Sequence, residues 1–81
     1  MTSPCITILA FARAREVFGF TEKTIPLVPD QTADEVLKNL LPDWRAQLAD
    51  SRIAIDLEFV NLAAPLRAGQ TLAIIPPVSG G

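Results

Sequence analysis

The sequence contains no histidine and no tyrosine, and only one cysteine, one tryptophan and one methionine among its 81 residues. Without histidine, the chain cannot build a histidine–cysteine metal site or a nucleophile that histidine activates. The single Cys5 allows no internal disulfide, which fits a reducing compartment. We therefore expect no metal site, and we expect the function to depend on something other than the usual catalytic side chains.

Excess positive charge and long apolar runs are also missing. Seven basic and nine acidic residues give a net charge of −2, whereas a protein that binds a phosphate backbone needs a basic face. No apolar run reaches the roughly 18 residues of a membrane span, and residues 1–4 begin no signal-peptide pattern. The sequence therefore predicts a cytoplasmic protein that binds neither nucleic acid nor membrane. Hydrophobic residues make up 49% of the chain, enough for one small core.

Short apolar runs rich in branched residues predict five strands, at residues 5–12, 22–27, 52–55, 58–60 and 71–75. A short helical turn is expected at residues 13–18, ending at Gly19. The main helix follows Thr32, which forms a capping-box pattern with Glu35. Its buried stripe is predicted at helical spacing and comprises Val36, Leu37, Leu40 and Leu41. Pro42 ends this helix, and a second short helix is expected to carry Trp44 and Leu48.

This order of elements predicts an α+β protein with the β-grasp, or ubiquitin-like, fold. A mixed sheet of about five strands would pack one face against one main helix and a short second helix, with the first and last strands as central neighbours. A ferredoxin-like sandwich is the alternative, but it needs two full-length helices. The domain is predicted to span residues 1–75, and residues 76–81 would form an extended C-terminal tail.

A sheet covered by helices on one side only would leave apolar side chains on its other face. Strand alternation assigns five residues to the core: Ile6, Ile8, Ala10, Leu72 and Ile74. The opposite face would then present Leu9, Phe11, Ile75 and, from the fourth strand, Phe59. Such a patch indicates either a protein partner or a cover formed by loops or by the tail.

The tail is Pro76, Pro77, Val78, Ser79, Gly80 and Gly81. The prolines lack an N–H group, so they end the strand and keep the chain extended, and six residues reach roughly 20 Å. A frayed end is one interpretation. The other is chemical, because a terminal glycine leaves its carbonyl unshielded and fits a narrow channel. A partner would have to adenylate the Gly81 carboxylate with ATP, and sulfide delivery would then give a thiocarboxylate that can donate sulfur.

The stretches "ILAFARAREVFG" and "PLRAGQTLAIIPPVSGG" resemble the opening and the P-P-V-[S/T]-G-G ending of molybdopterin synthase small subunits, sulfur carriers of the MoaD/ThiS group. Two positions, Gln70 and Asp56, depart from that pattern, which often has Asp and Asn there. The resemblance implies a β-grasp sulfur carrier in molybdenum-cofactor biosynthesis, with Gly81 as the thiocarboxylate. The carrier would bind no cofactor and would not be catalytic alone, but would be the sulfur-donating subunit of a heteromeric sulfurtransferase.

The same resemblance implies two partners. An ATP-dependent adenylating enzyme would activate the tail, and the large catalytic subunit would receive it in a heterotetramer and pass sulfur to a pyranopterin precursor. Phe11, Phe59 and Ile75 would dock on the large subunit, with Arg15 at the polar rim. Three alternatives remain: a sulfur carrier for thiamine thiazole synthesis, a ubiquitin-like protein modifier, and a β-grasp interaction module without terminal chemistry.

Overall fold

The computed structural model describes residues 4–77, which form one five-stranded mixed sheet with three short helices. In chain order the elements are β1 (Cys5–Ala10), α1 (Arg13–Phe18), β2 (Glu22–Pro26), α2 (Ala33–Leu40), α3 (Trp44–Gln47), β3 (Arg52–Ile55), β4 (Glu58–Val60) and β5 (Thr71–Ile75). The strand order across the sheet is β2-β1-β5-β3-β4. β5 runs parallel to β1 and antiparallel to β3, which confirms the prediction that the first and last strands are central neighbours.

The core lies on the face of the sheet that α2 covers. All five residues assigned to the core from strand alternation are buried there, and α2 contributes Val36 and Leu37. Leu40 and Leu41 differ from the prediction, since both are only partly buried and pack at the edge of the core. The helix ends at Leu40, and Leu41 is already extended, with φ −151°. The buried stripe is therefore shorter than the sequence pattern indicated.

The first turn of α2 is fixed by side-chain and backbone hydrogen bonds. The hydroxyl of Thr32 accepts from the Glu35 N–H at 3.3 Å, while the Thr32 N–H donates to the Glu35 carboxylate at 2.9 Å, so the predicted capping box forms. The bond from the Thr32 N–H and a second bond from the Thr32 hydroxyl both stabilise the Glu35 carboxylate, so they lower the pKa of Glu35 from its ordinary value of 4.5. The next two amides, of Ala33 and Asp34, donate to carbonyls of the segment before β5, which ties the helix to that segment.

β1 is two residues shorter than predicted. The strand ends at Ala10, because Ala12 takes up φ 49° and turns the chain into α1. Phe11 still donates its N–H to the carbonyl of Ile74 at 3.3 Å, so it stays beside the sheet although it is outside the strand. At the end of α1, Gly19 adopts the left-handed conformation predicted for a helix C-terminus.

Trp44 joins α3 to the core. Its ring is only 2% exposed and lies 6.5 Å, centroid to centroid, from the ring of Phe18. Its indole N–H donates to the Asp34 carboxylate at 3.2 Å, which satisfies the one polar atom of a buried side chain. The predicted second short helix forms and carries Trp44, but it ends at Gln47, so Leu48 is its C-cap residue and not part of the helix. Both Trp44 and Leu48 are buried in the core.

Candidate functional site

The face of the sheet away from α2 carries a shallow apolar groove of about 550 Å³. We call it the open-face groove. It is lined by residues from β1, β3, β4, β5 and their connections: Leu9, Phe11, Ala54, Asp56, Leu57, Phe59, Thr71, Ala73 and Ile75. The sequence prediction named four of these nine, and the structure brings Leu9, Phe11, Phe59 and Ile75 together around one depression.

Two alanines make the depression. The strand register places Leu9, Ala73, Ala54 and Phe59 side by side in one row across four strands. Leu9 and Phe59 therefore stand at the two ends of the row. Between them, two strands spaced about 4.8 Å apart project only the methyl groups of the alanines, and these form the floor of the groove. Larger residues at the two alanine positions would fill the floor and leave a convex face.

The walls of the groove expose large apolar side chains to solvent. Phe11 is 47% exposed, Phe59 is 56% exposed and Leu57 is 99% exposed. The remaining large exposed hydrophobic residue among those described, Val28, lies elsewhere, between β2 and α2. Concentrated exposure of this kind on a small protein is typical of a surface that binds another protein.

Charged groups stand at the rim of the groove. The guanidinium carbon of Arg52 lies 3.9 Å from the centroid of the Phe59 ring, a cation–π contact that holds one positive charge beside the apolar wall. At the other end, the Asp56 carboxylate accepts from the Thr71 N–H at 2.9 Å. Arg15, predicted at the polar rim, is exposed on α1 and does not line the groove.

The two departures from the family pattern each close a turn. Asp56 occupies the tip of the β3–β4 hairpin with φ 48° and bonds to the start of β5 through its carboxylate. The Gln70 side chain accepts from the Arg67 N–H at 2.7 Å, across the turn in which Gly69 has the predicted positive φ, 86°. Side chains other than the family's usual residues therefore satisfy the local backbone at both places.

β5 connects the groove to the C-terminal segment. Thr71, Ala73 and Ile75 face the groove, and the strand ends at Ile75 as predicted. Pro76 is buried against the domain and Pro77 is exposed. The other predicted tail residues lie outside the described part of the chain: Val78, Ser79, Gly80 and Gly81.

The part of the chain that the structure describes contains neither a candidate metal site nor a membrane-spanning helix. Within residues 4–77, no three acidic or cysteine side chains lie together in a way that could hold a metal ion. None of the helices in the same range is long and apolar enough to cross a bilayer. The main feature of the described surface is the apolar open-face groove, next to the point where the C-terminal segment begins.

The sequence prediction of the patch did not name five of the residues that line the groove: Ala54, Asp56, Leu57, Thr71 and Ala73. Alanine is not a distinctive residue in a sequence pattern. Ala54 and Ala73 form the floor of the groove only because of the strand register, which cannot be read from the sequence. Asp56 and Leu57 are the two residues between β3 and β4, a spacing that is itself typical of a tight hairpin. The spacing could have directed attention to Leu57, since such turns usually carry asparagine or glycine.

Comparisons with known proteins agree with this architecture. The model of the ThiS family matches residues 8–81. The molybdopterin synthase sulfur carrier subunit of Arabidopsis thaliana is 33% identical over 79 residues, covering 94% of this chain and 82% of that protein. SAMP1 from Haloferax volcanii superposes with a TM-score of 0.79 at 24% identity, covering 95% and 99% of the two chains. This likeness confirms the predicted ubiquitin-like β-grasp fold.

A second solved relative is a chain from the complex of subunits 1 and 2 of the molybdopterin-converting factor of Helicobacter pylori. It superposes with a TM-score of 0.64 at 23% identity, covering 95% of this chain and 99% of that one. Structures at this level of identity show the fold, whereas the family model and the curated relative cover nearly the whole sequence. The chain therefore belongs to the ThiS family, which it shares with the molybdopterin synthase sulfur carrier subunits.

Proposed function

We propose that this protein is the sulfur-carrier subunit of a molybdopterin synthase. It would dock through the open-face groove on the large catalytic subunit and deliver sulfur from the carboxyl group of Gly81. The observation that supports this most directly is the double use of β5. One strand supplies the floor and one wall of the groove, through Ala73 and Ile75, and then runs into the "PPVSGG" segment.

The proposed chemistry needs a partner at each step. A carboxylate is a poor electrophile at neutral pH, so an ATP-dependent enzyme first joins the Gly81 carboxylate to the α-phosphate of ATP and releases pyrophosphate. A sulfide donor then attacks the activated carbonyl, AMP leaves, and one carboxyl oxygen has been replaced by sulfur. In the large subunit, the thiocarboxylate sulfur forms a carbon–sulfur bond to the pyranopterin precursor and displaces an oxygen leaving group from that carbon. Water then cleaves the acyl–sulfur bond, which leaves the sulfur on the pterin and regenerates the Gly81 carboxylate.

The domain contributes presentation and recognition. Phe11 and Ile75 stand beside the start of the tail, so docking of these side chains would hold the tail at a fixed distance from the partner's surface. Glycines at positions 80 and 81 add almost no width, which suits entry into a narrow active site. We further propose that two carriers bind one dimer of large subunits, and that the protein acts in the cytoplasm.

The experiment is intact-mass analysis of the purified chain after incubation with its adenylating enzyme, ATP and a sulfur donor. The expected mass change is the replacement of one oxygen by sulfur, located at Gly81. A variant without Gly81 should still bind the large subunit but should show no mass change and no sulfur transfer. An unchanged mass of the full chain, under conditions that load a known carrier, would contradict the proposal. A simple β-grasp binding module would keep its activity when Gly81 is removed.

A further inference from the structure

The tip of the β3–β4 hairpin exposes a leucine that does not stabilise the isolated domain. The side chain of Leu57 is 99% exposed, so it contributes almost no packing to the core. Its backbone has φ 73°, in the left-handed region that leucine disfavours and asparagine or glycine tolerates. The positive φ and the exposure of an apolar side chain to water both make leucine a poor choice for the stability of the fold at this position.

From this we infer that Leu57 is a docking anchor that inserts into an apolar pocket on the large subunit of molybdopterin synthase. The inference rests on the proposed function and adds a residue to its interface. Leu57 lines the same groove as Phe59, so the tip continues the apolar wall and does not form a separate patch.

The position of the tip gives the anchor a specific effect on docking. Asp56 pairs with Thr71 at the beginning of β5, whereas the tail leaves at Ile75, four residues further on. At about 3.3 Å per residue, the two points are roughly 13 Å apart. A contact at Leu57, together with the contacts beside the tail, would fix the direction in which the tail points, because two separated contacts prevent rotation about either one.

Charge distinguishes the large subunit from a second copy of this chain as the occupant. Leu57 stands between Asp56 and Glu58, which are both exposed. A symmetric contact between two tips would bring four carboxylates together, on a chain that already has a net charge of −2. The pocket that fits this tip is apolar at its base and has lysine or arginine at its rim.

The test compares four variants of the full chain for their affinity for the cognate large subunit, by titration calorimetry, and for their thermal unfolding. Leu57→Asn should weaken binding by roughly 10- to 150-fold, the effect of no longer burying one leucine side chain. It should not lower the unfolding midpoint, because asparagine suits φ 73° better than leucine does. Leu57→Met should bind within about threefold of the original chain, since it restores an apolar side chain.

Two controls separate this inference from the proposed function. Val28→Asn removes an exposed apolar side chain outside the groove and should leave the affinity unchanged, whereas Phe59→Ala should weaken binding. If Phe59→Ala weakens binding and Leu57→Asn does not, the inference about Leu57 is wrong and the proposed function survives. A lower unfolding midpoint for Leu57→Asn, or loss of self-association without loss of affinity for the large subunit, would also overturn it. If the original chain does not bind the large subunit, the proposed function fails as well.

Discussion

The open-face groove depends on two alanines, and Ala73→Leu is the change that tests it most directly. Ala73 lies in the central strand with Ala54 beside it and Leu9 on its other side. A leucine there would occupy the middle of the floor and raise it toward the height of the walls. A partner that inserts an apolar group into the groove would then have no room to bury it.

The size of the effect follows from the area that can no longer be buried. Complete burial of one large apolar side chain is worth about 1.5–3 kcal/mol. Since about 1.4 kcal/mol corresponds to a tenfold change in affinity, Ala73→Leu should weaken docking on the large subunit by about 10- to 150-fold. The new side chain faces away from the core, and the β-propensity scale spans only about 1 kcal/mol. The free energy of unfolding should therefore change by no more than about 1 kcal/mol.

Calorimetric titration of the large subunit, paired with urea unfolding of the isolated chain, measures the two effects separately. Ala46→Leu is the matched control, because it adds the same side chain at an exposed position of α3, away from the groove. The control should bind like the original chain. If Ala73→Leu also binds with its original affinity while remaining folded, the groove is not the docking surface and the reasoning from its floor is refuted.

Two further predictions concern the helices that support the sheet. Trp44→Phe keeps an aromatic ring but removes the indole N–H that donates to Asp34, so the free energy of unfolding in urea should fall by about 1–2 kcal/mol; an unchanged value would show that this bond adds nothing to stability. Glu35→Gln should change the pH dependence of unfolding. Because folding lowers the pKa of Glu35, its carboxylate stabilises the fold fully above the ordinary value of 4.5, and this contribution is lost as the pH falls through the lower folded value. The difference in unfolding midpoint between the two proteins should thus be largest near neutral pH and should shrink below about pH 4.5, and a constant difference would contradict the role given to Thr32.

The elements that the sequence predicted well are those whose signals are local. The capping box of Thr32 and Glu35 marks the start of α2 by hydrogen bonds three residues apart, and it forms in the structure. Gly69 marks a turn because a positive φ is needed there, whatever the rest of the chain does. The assignment of strand faces also held, because alternation depends only on the geometry of a single strand.

The parts that the sequence could not predict depend on partners distant in the chain. The sequence predicts Ala12 as the last residue of the first strand, yet its φ of 49° turns the chain into α1, whose Ala14 is buried in the core. Ala54 and Ala73 are adjacent in space but 19 positions apart, and their register follows from the β3–β5 pairing. A groove is a property of several strands at once, so a list of apolar residues could identify its walls but not its floor.

The position of β5 determines how firmly the start of the tail is held in the proposed docking. β5 is hydrogen-bonded on both sides, to β1 and to β3, so it is held more firmly than either edge strand of the sheet. Neither Pro76 nor Pro77 can donate to a neighbouring strand, so the ladder must stop where the tail begins. Under the proposed function, a partner bound at the groove would contact a strand that is held on both sides up to Ile75, directly before the tail. The same segment attached to an edge strand would be positioned by a ladder on one side only, and the docking contacts would fix its direction less well.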